Sequence, residues 1–203
     1  EIYFADLEKI ESRMGLYNFV KSSKLPLDIL INNAAFIGAS ELDGWNCSFD
    51  SQSTETWRRA FELNLTSVFE LCRELSPKLK MSMRGSIINI ASIYGAFGPD
   101  WRLYKGTGMG SPAAYSASKG GLIQLTRWLA TTLAPSIRVN AIAPGGISRG
   151  QPSKFVQEYC SRTPMGRMAT EEDFCGIIAY LATDLSLYVT GQTIFVDGGW
   201  GIW

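Results

Sequence analysis

The chain contains no histidine at all. Serine and cysteine triads that depend on an imidazole base are therefore excluded. It has four cysteines, Cys47, Cys72, Cys160 and Cys175, and none forms a C-x-x-C pair. With no histidine and no paired thiols, zinc sites of the usual Cys/His type are excluded, and no metal site is expected. The cysteines read as free thiols in a reducing compartment, so a cytoplasmic location is expected. Lys+Arg and Asp+Glu both total 19, which leaves no net charge. No clustered basic stripe suggests nucleic acid. No apolar run approaches the length of about eighteen residues that suggests a membrane span, and the first residues lack the basic region of a signal peptide. A glycine-rich phosphate loop is missing too. Gly106-x-Gly108-x-Gly110 follows no strand directly and has the wrong spacing for G-x-G-x-x-G.

What is present is an ordinary globular composition, 46% hydrophobic and 19% charged over 203 residues, enough for one domain with a sizeable core. Five short apolar runs read as buried strands: Ile2–Ala5, Leu27–Asn32, Ser86–Ala91, Ile137–Ala143 and Thr193–Val196. Their continuous rather than alternating apolarity suits strands covered on both faces of a parallel sheet. Helical patterns lie between them. Leu7–Ser22 ends before Pro26. Thr54–Leu79 carries Trp57, Phe61, Leu65, Val68, Phe69 and Cys72 on one stripe. Ala114–Leu133 stops at Pro135. Thr170, followed by Glu171, Glu172 and Asp173, reads as the start of a helix running through Leu181. This alternation predicts βαβ units and a single α/β domain spanning residues 1–203, a Rossmann-like doubly wound parallel sheet. The stretch 94–112, rich in glycine, is the longest irregular segment and is expected to lie on the substrate side.

Tyr115 and Lys119 stand four residues apart at the start of a helical pattern, which stacks them on one face. A lysine cation beside a phenol favours the phenolate and suits proton transfer to or from a hydroxyl or carbonyl oxygen. In open α/β sheets ligands bind beyond the carboxyl ends of the strands. Three strands end there in Asn32-Asn33-Ala34-Ala35, Ser92 and Pro144-Gly145-Gly146-Ile147. A strand-end serine can hydrogen-bond a substrate oxygen, and small residues let a flat ring approach the backbone.

These segments, with Asn64-Leu65, Arg138-Val-Asn-Ala-Ile-Ala-Pro144-Gly145 and Val196-Asp-Gly-Gly199 in the same order, resemble the short-chain dehydrogenase/reductase family along nearly the whole chain. The resemblance implies an NAD- or NADP-dependent oxidoreductase that interconverts a secondary alcohol and a ketone. It implies Tyr115 as general acid/base and Lys119 as the group that lowers its pKa and holds the nicotinamide ribose. Ser92 would orient the substrate oxygen, and Asn64 would hold a water of the proton relay. Asp6 and Leu7 would lie beside the adenine, and Asn33, Ala34 and Ala35 along the adenosine. Pro144, Gly145 and Ile147 would pack on the nicotinamide. Relatives that reduce an enoyl double bond generally use a longer Tyr-to-Lys spacing, which argues against that reaction here. A homodimer or homotetramer pairing the helices Thr54–Leu79 and Ala114–Leu133 is implied as well.

The resemblance has gaps. The family's glycine-rich turn and its flanking elements are absent, so it implies a further N-terminal part of two strands and two helices. That part would carry the residue that chooses between NAD and NADP. The Ser92–Tyr115 separation is longer than the family's common one. Trp101, Arg102, Tyr104 and Lys105 in the long loop, with Met109 and Gln151-Pro152, are expected to shape the substrate pocket and to suit a polar, anionic or sugar-like substrate. Each residue also has a plain structural role open to it. Asp6 could cap the first helix, Asn64 could be a solvated helix residue, and Asn32-Asn33 could be turn residues. Ser92 could satisfy backbone, and Arg102 and Lys105 could be solvated. A non-catalytic homologue acting as a binding or assembly subunit is the alternative. The terminal Gly199-Trp-Gly-Ile-Trp203 is expected to expose two tryptophans for docking.

Overall fold

A computed structural model describes all 203 residues. Four strands form one sheet: β1 (Ile29–Asn32), β2 (Gly85–Ile90), β3 (Ile137–Pro144) and β4 (Thr193–Val196). They are parallel throughout and lie in chain order β1-β2-β3-β4. Helix α1 (Ile10–Ser22) precedes β1, α2 (Thr54–Phe61) and α3 (Ser67–Met81) join β1 to β2, and α4 (Ala113–Leu133) joins β2 to β3. Helices α5 (Ser153–Arg162) and α6 (Cys175–Ala182) join β3 to β4. The parallel α/β sheet expected from the apolar runs is present.

Alternate strand residues feed two layers, as a pleated strand requires. Ile87 and Val139, register partners, pack with Val68, Cys72 and Leu79 of α3 and with Leu122, Leu129 and Leu133 of α4. On the opposite face Ile88 and Ile142 pack with Phe174 and with Leu181 of α6. Polar anchors fix that second face. Arg138, 9% exposed, donates to Ser186 Oγ and to the Leu181 carbonyl, and Ser86 donates to the same carbonyl. The carbonyls at the end of α6 are thus satisfied by side chains from the sheet. Thr170, expected as a helix start, forms a reciprocal capping box with Asp173 at the start of the 3-10 turn leading into α6.

Three expectations need correction, and one helix is new. Ile2–Ala5 is not a strand: Ile2 and Phe4 stand 84% and 91% exposed, because no strand lies beside them to accept a ladder. The outer edge of β1 is likewise unpaired, and Ile29 and Ile31 are exposed. The long second helix is interrupted by a π-helical turn, Glu62–Thr66. The extra residue shifts the inward face, which becomes Val68, Leu71, Cys72, Leu75 and Leu79, while Trp57 and Phe69 point outward. Trp200 is buried at 2% exposure among Tyr94, Phe97 and Tyr159, so only Trp203 of the terminal pair is exposed. Finally α5, which was not foreseen, buries Phe155 and Tyr159, four residues apart, against Tyr104 and Trp200.

Candidate active site

Because all four strands run the same way, their carboxyl ends open on one side of the sheet, and there lie Asn33, Ala34, Ser92, Pro144 and Gly145, with Tyr115 and Lys119 beside them. Ser92 stands two residues beyond the end of β2 and is 6% exposed. Its Oγ accepts from the Tyr94 amide at 3.2 Å, the structural role left open for it. That bond uses a lone pair and leaves the hydroxyl proton free to donate. Tyr115 stands in the first turn of α4, partly exposed, with Lys119 one turn on. The two elements are locked by a close approach. A Cβ on Gly95 would lie 2.7 Å from the Lys119 carbonyl oxygen and 3.0 Å from the Gly120 amide nitrogen. Only glycine lets the turn after Ser92 lie against α4 at this distance.

Lys119 is 3% exposed and donates to the Ile90 carbonyl at 2.7 Å. Burial pulls its pKa down to about 8. Its nitrogen lies 6.0 Å from the centre of the Tyr115 ring. The expected depression of the Tyr115 pKa is not found. Burial raises the phenol above its ordinary value, and hydrogen bonding with Ser92 opposes the rise. Desolvation is the larger effect, and no charge from Lys119 offsets it.

Asn64 is 1% exposed and lies on the π-helical turn. Its amide is filled by protein: Oδ1 accepts from the Phe36 amide, and Nδ2 donates to the Phe36 carbonyl and to Ser118 Oγ. It therefore ties the segment after β1 to α4 one residue before Lys119, and it is not a solvated helix residue. Asn32 is buried as well and donates to Asn89 Oδ1, which carries the Nδ2 that donates to Thr126. This polar ladder joins β1, β2 and α4 below the site.

Asn33 and Ala34 are exposed at the end of β1 and share a cleft of about 240 Å³ with Leu7, Ile31 and Val68. Ala35 follows, half-buried. Asp6 is not among the lining residues. It accepts from the Glu8 amide and pairs with Lys9, which holds its carboxyl below the usual range and makes it the turn-former ahead of α1. Pro144 ends β3 and Gly145 and Ile147 follow it, each half-buried. The bare face of Gly145 is turned to protein rather than to a ligand: a Cβ there would meet Asp197 Cα at 2.8 Å and the Tyr159 hydroxyl oxygen at 3.0 Å.

The loop residues divide. Tyr104 is buried, and its hydroxyl meets that of Tyr94 at 2.6 Å. Trp101 is 59% exposed, and Lys105 is exposed. Arg102 is held by both oxygens of Asp100, which also accepts from Arg162. The cation expected to recognise an anionic substrate is thus engaged by a carboxylate that it shares with Arg162. Sequence reasoning passed over Ser111, Phe155 and Tyr159, which complete this wall. The four-residue spacing of Phe155 and Tyr159 after Pro152 was the available signal.

The enoyl-(acyl carrier protein) reductase family model matches residues 1–201. The chain is 36% identical over 203 residues to 3beta-hydroxysteroid dehydrogenase 1 of Eggerthella lenta, covering 96% of this chain and 71% of that protein. A short chain dehydrogenase from Leptospira borgpetersenii, solved with bound NAD+, is 34% identical with a TM-score of 0.86, over 97% of this chain and 73% of that one. This chain belongs to the short-chain dehydrogenase/reductase family. A gluconate 5-dehydrogenase from Burkholderia cenocepacia, in complex with NADP and tartrate, superposes with a TM-score of 0.83 at 26% identity, over 98% of this chain and 74% of that one. The chain spans between 65% and 74% of the length of the curated relatives it matches. The family is one of NAD(P)-dependent oxidoreductases acting on CH–OH groups, and the parallel sheet and the strand-end site agree with it.

The site fits a nicotinamide dinucleotide on its own evidence. Lys119 is a buried ammonium with three donors, of which the protein fills one. A buried cation with free donors suits the hydroxyls of a ribose. Asn33 and Ala34 border a mainly apolar cleft that also holds Leu7, Leu16, Leu30, Leu71 and Leu75, between α1, β1 and α3. No helix is long and apolar enough to cross a membrane.

Proposed function

We propose that this chain carries the catalytic site of an NAD(P)-dependent dehydrogenase that interconverts a secondary alcohol and its ketone. The observation that carries the reading is the convergence of Ser92, Tyr115 and a buried, under-satisfied Lys119 at the end of β2. The bound dinucleotide supplies or accepts the hydride. Lys119 would hold its ribose, Leu7, Asn33 and Ala34 its adenosine end, and Pro144 and Ile147 would border the nicotinamide. Ser92 donates its free hydroxyl proton to the substrate oxygen and fixes it beside Tyr115. Tyr115 gives a proton to that oxygen during ketone reduction and takes one during alcohol oxidation. Asn64 acts by holding α4 against the segment after β1, which sets the position of the helix that bears Tyr115 and Lys119. The four-residue Tyr115–Lys119 spacing favours this reaction over reduction of an enoyl double bond.

The reading includes a reducing, cytoplasmic setting, supported by four unpaired cysteines. It also includes a homodimer or homotetramer formed through α2–α3 and α4, supported by the outward-facing Trp57, Phe69 and Trp128. Titrating the protein with NADH and NADPH while following nicotinamide fluorescence tests the core of the proposal. Saturable enhancement with at least one of them is expected. No enhancement with either would favour a non-catalytic homologue.

A further inference from the structure

The turn that leaves β3 is held by backbone at two points and by a side chain at a third. The Gly145 amide donates to the Val196 carbonyl of β4 at 3.0 Å, and the Gly146 carbonyl accepts from the Ala169 amide at 2.9 Å. The Gly146 amide donates to the hydroxyl oxygen of Tyr159 at 2.5 Å. A backbone N–H withdrawn from water needs an acceptor. No backbone carbonyl supplies one to Gly146, so the phenol of α5 does.

Tyr159 is fixed where it stands. It is 3% exposed, and its ring stacks on Phe155 and on Trp200, with centroids 5.9 and 6.2 Å away. Phe155 lies in turn 5.5 Å from Tyr104 of the long loop. The phenol therefore cannot swing off the turn without unpacking this aromatic wall. The turn also rests on the ring itself. A Cβ on Gly146 would lie 2.8 Å from Tyr159 Cζ and 2.9 Å from Cε2, and one on Gly145 would lie 3.0 Å from the hydroxyl oxygen. Two glycines in succession permit that approach. The same positions would meet Asp197 Cα and Met168 Cε, so Tyr159 supports the turn from its protein side.

We infer that Tyr159 is a positioning residue for the nicotinamide: its hydroxyl holds the Gly146 amide and so sets the height of the Pro144–Ile147 turn that the ring would border. The inference rests on the proposed dehydrogenase reading. Tyr159 acts through the turn and touches no reacting atom. It also links α5 and the long loop to the nicotinamide end of the site, through Phe155 and Tyr104. Hydride transfer is sensitive to such a height, since a displacement of about 1 Å can cost about a hundredfold in rate.

Tyr159→Phe keeps the ring and its stacking and removes the hydroxyl alone. The test measures two affinities in the full chain and in this variant: for whichever of NADH and NADPH the parent binds, and for ADP-ribose or its 2′-phosphate, which lack the nicotinamide. The dinucleotide should bind about threefold to tenfold more weakly, the effect of one lost hydrogen bond, with less enhancement of nicotinamide fluorescence. Binding of the nicotinamide-free ligand should be unchanged. Equal losses for both ligands would reduce Tyr159 to a structural residue and overturn the inference, as would no loss for either. Thermal melts verify folding. If Tyr159→Phe does not fold, Gly146→Ala carries the test, because its methyl meets the ring and pushes the turn off the phenol; the same split between ligands is expected. A parent that binds NADH or NADPH, with no split in the variants, overturns the inference and leaves the dehydrogenase reading intact. A parent that binds neither dinucleotide overturns both.

Discussion

Lys119 commits one ammonium proton to the carbonyl of Ile90, 2.7 Å away, and so fastens α4 to the end of β2 two residues before Ser92. The ammonium is kept at a cost. Its pKa is pulled down by burial to about 8 from an ordinary 10.5, so the unfolded chain holds this proton more tightly than the folded one. The sign follows: the penalty is full below about pH 8 and disappears as pH rises from there to 10.5. Lys119→Met should therefore stabilise the protein at pH 7 by about 1–3 kcal/mol, after allowing for the lost hydrogen bond. The gain should shrink toward pH 10, and turnover should fall by about two orders of magnitude or more. Urea unfolding at the two pH values checks this. A variant less stable than the parent at pH 7 would contradict the burial argument.

Tyr115→Phe should remove turnover, by a factor of about 10²–10⁴, and leave the affinity for NADH or NADPH within a few-fold. The parent enzyme carries a second signature. Burial holds the phenol above its ordinary value of 10.0, so at neutral pH it is protonated and ready to donate to a ketone oxygen. Alcohol oxidation needs the phenolate and should climb with pH across the neutral and alkaline range, about tenfold per unit while the phenolate is the minor form. An oxidation rate that stays flat between pH 7 and 9, with chemistry limiting, would remove Tyr115 from the proton transfer.

Gly95→Ala tests the contact that sets Ser92 against α4. The new methyl would meet the Lys119 carbonyl at 2.7 Å, and both neighbours are backbone that cannot rotate away. The turn must move, at about 1–3 kcal/mol of stability, and kcat should fall more than the affinity for the dinucleotide. Gly98→Ala is the control, since its Cβ would meet nothing within 4 Å. Equal kinetics for the two variants would show that the close approach does not position Ser92.

The inner strands were legible because β2 and β3 are covered on both faces and so read as unbroken apolar runs. Ser92, Tyr115 and Lys119 were legible because a strand end and a helical spacing of four place them without any long-range information. Ile2–Ala5 has the same local composition as a strand, but strand formation needs a partner, and composition does not reveal one. The π-helical turn at Glu62–Thr66 leaves no mark on an apolar stripe, so Trp57 and Phe69 were assigned to the wrong side. Asp100 lies two residues before Arg102, yet nothing in that spacing shows one carboxylate taking two arginines. The raised phenol of Tyr115 is a property of burial, which depends on elements distant in sequence.

Arg13 was equally invisible, and it gives the last prediction. Its side chain is 2% exposed and donates to Glu62 at 2.6 Å, Glu70 at 2.7 Å and the Leu7 carbonyl at 2.7 Å. Tyr17 also donates to Glu70, which pushes its own phenol up to about 12, with burial as the larger cause. One guanidinium thus ties the Leu7 turn to the π-helical turn that bears Asn64. Arg13→Met would strand Glu70, only 15% exposed, without its cation, and should cost about 3–5 kcal/mol. Adding Glu70→Leu should restore part of that loss, because an apolar pair carries no buried charge. Affinity for NADH or NADPH should weaken in both variants, since Leu7 lines the same cleft as Asn33 and Ala34. Urea unfolding and fluorescence titration on the same samples decide the point: stability recovered without affinity supports the coupling of Leu7 to the cleft, and unchanged affinity in Arg13→Met refutes it.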